Sequence, residues 1–198
     1  LQGSNIINSL GAIHQFTKEI IENCNDDIGI KYSNNLVSIM IGGQNRHYKF
    51  SKQIITELTE KIKKLKKKLK NFNFLVIGSR RTDNNIIDLL QDQLNKIAYV
   101  WDKKAKNPYL FALKNSKFFI VTSDSTSMIS ECAFTGRPVY VYHLPFKRIS
   151  KRISHFHSEF KQKNITRNFK DNLEVWQYKP FDEAERIAGI LKLRILNN

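Results

Sequence analysis

Residues 118–142, FFIVTSDSTSMISECAFTGRPVYVY, decide the fold. Phe118–Val121 and Val139–Val141 are continuous apolar runs, the pattern of parallel strands covered on both faces. Between them, Gly136 and Pro138 stop a helix in the usual order. The stretch reads as strand, hydroxyl-rich turn, short helix, strand. Its turn, Thr122–Ser127, holds five Ser/Thr hydroxyls and Asp124. They sit at the mouth of a helix whose free N–H groups and positive dipole end attract anions. Asp124, Ser127 and Glu131 follow i, i+3, i+7 spacing, so one helix face is expected to carry all three, opposite Met128, Ile129, Cys132 and Ala133. A phosphate at the helix mouth with a carboxylate one turn below suits a nucleotide, because the carboxylate accepts from ribose hydroxyls. The plain alternative is that Ser125 caps the helix and Glu131 is solvated.

Working outward, the same alternation recurs. Leu36–Ile41 is a strand, followed by Gly42-Gly43-Gln44-Asn45-Arg46 and a Lys-rich helix over Ser51–Lys70. Phe72–Ile77 is the next strand, followed by Gly78-Ser79-Arg80-Arg81-Thr82 and a helix capped by Thr82. Ala98–Trp101 is a short third strand. Asn107-Pro108 opens a brief helix with Pro at its first position. After His143 come a basic loop and an amphipathic helix with Ile149, Ile153, Phe156 and Phe160 on one side. A last helix, Asp182–Leu196, starts with Asp182 and Glu185 in capping-box spacing. Strands alternating with helices imply an α/β doubly wound, Rossmann-like parallel sheet of about five strands. Residues 36–198 are expected to form that nucleotide-binding domain. Residues 1–35 read as a linker and the remnant of a preceding domain, with a short strand at Asn5–Leu10. A helix over Thr17–Tyr32, capped by Thr17, is interrupted near Asn25–Gly29.

Ligands of such sheets bind beyond the carboxyl ends of the strands. That geometry gathers three loops on one rim. Gly42 and Gly43 let backbone N–H groups approach an oxyanion, with Arg46 nearby, although two glycines at a strand end also serve as a plain tight turn. Ser79, Arg80 and Arg81 could clamp a diphosphate, where the bland reading is exposed surface arginines. Ser125, Thr126, Ser127 and Met128 form the helix mouth. Neither the dinucleotide fingerprint nor a Walker A loop is present. Tyr48 and Lys52 match a Tyr-x-x-x-Lys spacing by coincidence, since no nucleotide fingerprint precedes them. His155-x-His157 lacks Cys or acidic partners at metal-ligand spacing and reads as a basic helix bearing two histidines. No nucleophile–base pair or paired carboxylates emerge, so the catalytic residues are unknown and no metal is expected.

Composition narrows the class. A chain of 198 residues with 41% hydrophobic content has a real core. Cys24 and Cys132 lack metal spacing and read as reduced thiols of a cytoplasmic protein. No signal peptide or membrane span is visible in the sequence. The net charge of +15 favours anionic partners. Lys61–Lys70 supplies seven lysines and no acid, most simply as the solvated face of a helix with Ile54, Leu58, Ile62, Leu65 and Leu69 inward. Nucleic-acid binding rests on charge alone, without an aromatic-basic motif.

Four segments carry a family resemblance: IGGQNRHYKF (41–50), SRRT (79–82), VWDKKAKNPYL (100–110) and VTSDSTSMISECAFTGRPVYVYHLP (121–145). Together they resemble the family of the plant mitochondrial fission factor of the elongated-mitochondria type and its bacterial relatives, some of them labelled predicted nucleoside-diphosphate-sugar epimerases. The segment Ser127-Met128-Ile129-Ser130-Glu131-Cys132-Ala133-x-x-Gly136-x-Pro138-Val139 is similar to the donor half of GT-B glycosyltransferases. The resemblance implies a GT-B C-terminal-domain fold binding UDP or another nucleoside-diphosphate sugar, with no further cofactor. It would place ribose on Glu131, diphosphate at Ser125–Met128, a closing phosphate loop at Gly42-Gly43 and the base near the Trp101 backbone. Two departures stand out. The Gly-rich turn of those transferases is replaced here by Ser-Asp-Ser-Thr-Ser, and the acceptor half, which usually brings the catalytic base, would precede Leu1. A preceding domain or partner subunit is therefore expected. The two functional expectations are a donor-binding domain without turnover in isolation, and a non-enzymatic adaptor using its basic surface. In either case the basic helix Lys147–Lys163 could lie at the membrane face.

Overall fold

The structure, a computed structural model, describes residues 3, 5–25 and 35–196. One sheet of six parallel strands organises it: β1 (Leu36–Ile41), β2 (Asn73–Gly78), β3 (Tyr99–Val100), β4 (Ser116–Thr122), β5 (Val139–Tyr142) and β6 (Thr166–Asn168). Their spatial order is β3-β2-β1-β4-β5-β6. The helices are α1 (Lys18–Glu22), α2 (Lys52–Lys68), α3 (Asn84–Leu94), α4 (Tyr109–Asn115), α5 (Thr126–Phe134), α6 (Lys151–Gln162) and α7 (Glu183–Leu196). The sheet has one strand more than the sequence suggests. That strand, β6, is the polar triplet Thr-Arg-Asn at the edge, paired with β5 through Val139↔Thr166 and Val141↔Asn168.

Period-2 alternation divides the strand side chains between two cores. Val37, Ile39 and Ile41 of β1 face Ile55, Leu58 and Ile62 of α2 and Ile87 and Leu90 of α3. Met40 of β1 and Phe119 and Val121 of β4 face Ile129, Cys132 and Ala133 of α5, with Phe156 and Phe160 of α6. Every residue of β1 is buried, as a central parallel strand requires. Its one polar member, Ser38, shares a 2.6 Å hydrogen bond with Ser116 Oγ, so that hydroxyl is not stranded in the core.

Several boundaries depart from the pattern-based reading. Asp83, not Thr82, caps α3, accepting from Asn85 N–H. Thr82 is buried, and its hydroxyl donates to the Ile41 carbonyl at 3.0 Å. Ile149 precedes α6 and is 74% exposed, whereas Ile153, Phe156 and Phe160 are buried. No strand forms over Asn5–Leu10. Instead the Leu10 N–H donates to Glu183 Oε1 and the Ala12 N–H to Ser130 Oγ, each at 3.0 Å. This leading segment packs over α5 and α7. Of the helix expected over Thr17–Tyr32, α1 is observed with Thr17 as its cap. Residues 26–34, which include most of the expected interruption, lie outside the described residues.

The topology positions the site. From β1 the chain winds outward through β2 and β3, then returns to the centre and winds the other way through β4, β5 and β6. The loops after β1 and β4 therefore diverge and leave a crevice at the carboxyl edge. Phe119, wholly buried at the centre of β4, holds this arrangement together. Phe119→Ala is expected to cost about 3–5 kcal/mol, read as a fall in the urea midpoint. A loss below about 1 kcal/mol would contradict the central placement of β4.

Candidate functional site

Three loops meet at the crevice, and a carboxylate joins them. Asp124 lies before α5, not on its face with Ser127 and Glu131 as the spacing suggested, and its side chain is wholly buried. Its carboxylate accepts from the Gly43 N–H at 2.9 Å, from the Thr122 hydroxyl at 2.7 Å and from Arg81 NH2 at 3.3 Å. Gly42 N–H donates to Thr122 Oγ1 at 2.8 Å. The two glycines, expected to cradle a phosphate, thus direct their N–H groups at this internal anion and its neighbour. A Cβ on Gly42 would lie 2.0 Å from Asp124 Oδ2, and one on Gly43 would lie 2.1 Å from the Arg81 carbonyl oxygen. Close approach explains both glycines. Arg81 spends its charge here too, while remaining 44% exposed at the side chain. Ser79 Oγ accepts from the Arg81 N–H at 3.1 Å, which shapes the β2–α3 loop.

The mouth of α5 differs. Ser125 is the N-cap residue, yet its side chain makes no capping hydrogen bond. Its N–H donates to the Thr122 carbonyl, and its carbonyl accepts from Ile129. The N–H groups of Thr126, Ser127 and Met128 have no acceptor among the described residues. Thr126 is half-buried and Ser127 exposed, while the Met128 side chain turns into the core, so only the Met128 backbone reaches the rim. One turn further on, Glu131 is half-buried and accepts a hydrogen bond from the Tyr109 hydroxyl of α4. This phenol fixes the carboxylate's orientation. Burial above all, with the neighbouring Glu131 carboxylate, raises the Tyr109 pKa well above its ordinary value, so it stays a donor.

The remaining residues spread along the rim. Arg80 is exposed at the β2–α3 loop. Arg46 is exposed and donates through Nε to His47 Nε2 at 3.0 Å. Trp101 continues β3, its N–H donating to the Val76 carbonyl and its indole N–H to the Ala105 carbonyl, both at 2.9 Å. Tyr48 is buried and Lys52 opens α2, so the coincidental Tyr–Lys pair forms no site.

A histidine cluster escaped the sequence reading. His157 Nε2 lies 2.9 Å from the Ser123 carbonyl and 3.2 Å from the Tyr48 hydroxyl. A carbonyl can only accept, so Nε2 carries the proton. His143 stands edge-on to it, ring centroids 5.2 Å apart, with its own Nε2 at 3.1 Å from Asn168 Oδ1. These rings tie α6 and β5 to the turn that leads into α5. The Ser123 contact comes from tertiary packing, and only the inward helix position of His157, one residue after Phe156, could have signalled it.

Burial, reinforced by His143, lowers the His157 pKa from 6.5 to about 4. Burial also lowers that of His143. A folded-state pKa below the unfolded one means that the unfolded chain takes up the proton first as pH falls. The stability carried by neutral His157 is therefore present above about pH 6.5 and lost between there and about pH 4. Asp124, whose pKa burial raises, works in the opposite sense at the acid end. The urea midpoint is expected to fall across this window, and His157→Gln should flatten the fall relative to the parent. An unchanged slope in the variant would refute the buried neutral ring.

The chain is 29% identical over 169 residues to an uncharacterized protein of Rickettsia prowazekii (strain Madrid E), covering 81% of this chain and 47% of that protein. It is 34% identical over 100 residues to the mitochondrial fission protein ELM1 of Arabidopsis thaliana, covering 48% of this chain and 22% of the plant protein. The chain thus spans less than half the length of these two relatives. Among solved structures, it resembles S. aureus MnaA in its co-structure with UDP, with a TM-score of 0.51 and 14% identity. That match covers 88% of this chain and 49% of MnaA. It shows the fold, a doubly wound sheet of the GT-B type. The family model for mitochondrial fission ELM1 matches residues 1–195, and the chain belongs to that family.

Proposed function

We propose that this chain binds a nucleoside-diphosphate sugar in the crevice between β1 and β4, as the donor-side domain of a GT-B-like glycosyltransferase. The carrying observation is the α5 mouth. Three consecutive N–H groups, Thr126 to Met128, stand without an acceptor among the described residues at the point where the strand order reverses. In this reading they hold the diphosphate with the Ser125 and Ser127 hydroxyls, and Arg80 and Arg46 approach from the neighbouring loops. Gly42, Gly43, Ser79 and Arg81 form the floor, closed around Asp124. Glu131, oriented by Tyr109, takes the ribose hydroxyls, and the backbone beyond Trp101 lies beside the base.

Support comes from a fold of the same type in a protein solved with UDP and from the carboxylate one helical turn below the anion-accepting end. The reading is of binding. An acceptor and a catalytic base would come from a further domain or a partner subunit, so the isolated chain is expected to bind without turnover.

Calorimetric titration with UDP, GDP and their sugars tests this. Binding of at least one is expected, with Glu131→Gln weakening it about tenfold, the loss of one charge-assisted hydrogen-bond acceptor. Tyr109→Phe should weaken it less. Absence of binding by the parent chain would overturn the proposal, as would equal affinity for the Glu131 variant.

A further inference from the structure

The loops leading into α2 and α6 are fastened to each other beside the crevice. Tyr48 and Phe146 form an antiparallel bridge, and their rings stack with centroids 4.7 Å apart. The Lys49 N–H donates to the Pro145 carbonyl at 2.8 Å, and the N–H groups of Lys147 and Arg148 both donate to the His47 carbonyl, at 2.7 and 3.0 Å. The backbone here is held rigidly, so whatever it displays is displayed in a fixed arrangement.

It displays cations around apolar side chains. Lys49, Lys147, Arg148, Lys151 and Arg152 are all exposed, and no ion pair engages them among the described residues. No acidic residue occurs from 36 to 56 or from 132 to 158. Amid this charge Ile149 is 74% exposed and Phe146 39%. The Lys-rich α2, the obvious basic stretch of the sequence, is different. Lys61 pairs with Asp171 and Lys63 with Glu60, while Lys66 and Lys68 donate to the Phe72 and Asp171 carbonyls. No large hydrophobic side chain of α2 is exposed beside them.

We infer that the Lys49/Phe146–Arg152 face docks on an anionic lipid bilayer. Ile149 enters the headgroup–acyl boundary, Phe146 lies at its level on the Tyr48 ring, and the five cations meet lipid phosphates. Charge complementarity and an apolar tip together fit a bilayer surface. A nucleic acid would use the charge and leave Ile149 without a role. Docking here does not depend on nucleotide binding. Through the His157–Ser123 contact, however, the docked α6 is coupled to the turn that leads into the α5 mouth.

Co-sedimentation of the chain with phosphatidylcholine vesicles, with and without phosphatidylglycerol, tests the inference. Each variant is first shown to melt like the parent. Binding is expected only with phosphatidylglycerol and should weaken as salt rises. Lys147→Glu with Arg148→Glu should lower affinity about tenfold or more, given the attraction of each cation to an anionic leaflet. Ile149→Asp should lower it severalfold, while Lys63→Glu with Lys64→Glu should leave most of it. Leu193→Ser with Ile195→Ser, both exposed on α7, should also leave it. The inference fails if phosphatidylglycerol makes no difference. It fails as well if the α2 or α7 variants lose binding and the loop variants do not. Retention of vesicle binding by Ile149→Asp, with tight binding of polyuridylate lost in the Lys147/Arg148 variant, would assign the face to nucleic acid instead.

Discussion

A buried carboxylate holds the working edge of this fold in shape. Asp124 joins the loops after β1, β2 and β4 through Gly43, Arg81 and Thr122. Burying an ionised carboxylate is costly unless donors replace its water. Here a backbone N–H, a hydroxyl and a guanidinium do so within 2.7–3.3 Å. The two glycines follow from that packing, since a side chain at either would collide with Asp124 or with the Arg81 backbone. Removing either Asp124 or Arg81 would leave buried polar groups unpaired, so the junction behaves as a unit.

The junction also decides where an anion can go. A Gly-Gly turn at a strand end is an inviting anion nest, but this one already encloses an anion of the protein's own. The donors without an acceptor among the described residues lie elsewhere, at the start of α5 just after Asp124, where the Ser125 side chain makes no capping hydrogen bond. Asp124 thus separates the two halves of the rim, a closed floor from a helix mouth whose first N–H groups have no acceptor among the described residues. Tyr109 adds a fixed orientation to the carboxylate one turn below.

Much of this was legible in the sequence. Apolar runs announced β1, broken only by Ser38, and β4 and β5 without a break, and the Leu58–Leu65 spacing announced α2, because burial on both faces of a sheet or along one face of a helix leaves a periodic trace. Other features left none. The edge strand β6 is three polar residues held only by backbone pairing with β5. Asp124 fits helical spacing with Ser127 and Glu131, but its carboxylate is drawn to Gly43 from a distant part of the chain, and local periodicity cannot register that. His157 sits at an ordinary helix position and gains its significance from Ser123 and Tyr48. Ile149 continues an apolar series on paper, yet the helix starts two residues later and leaves it in solvent.

In the proposed function the α5 mouth receives phosphate while Asp124 keeps the Gly42-Gly43 turn closed. Backbone amide NMR during a UDP titration tests it most directly. Large shifts are expected for Thr126, Ser127 and Met128, with Gly42 and Gly43 little changed. Large shifts at Gly42 and Gly43, with Thr126–Met128 unmoved, would contradict it.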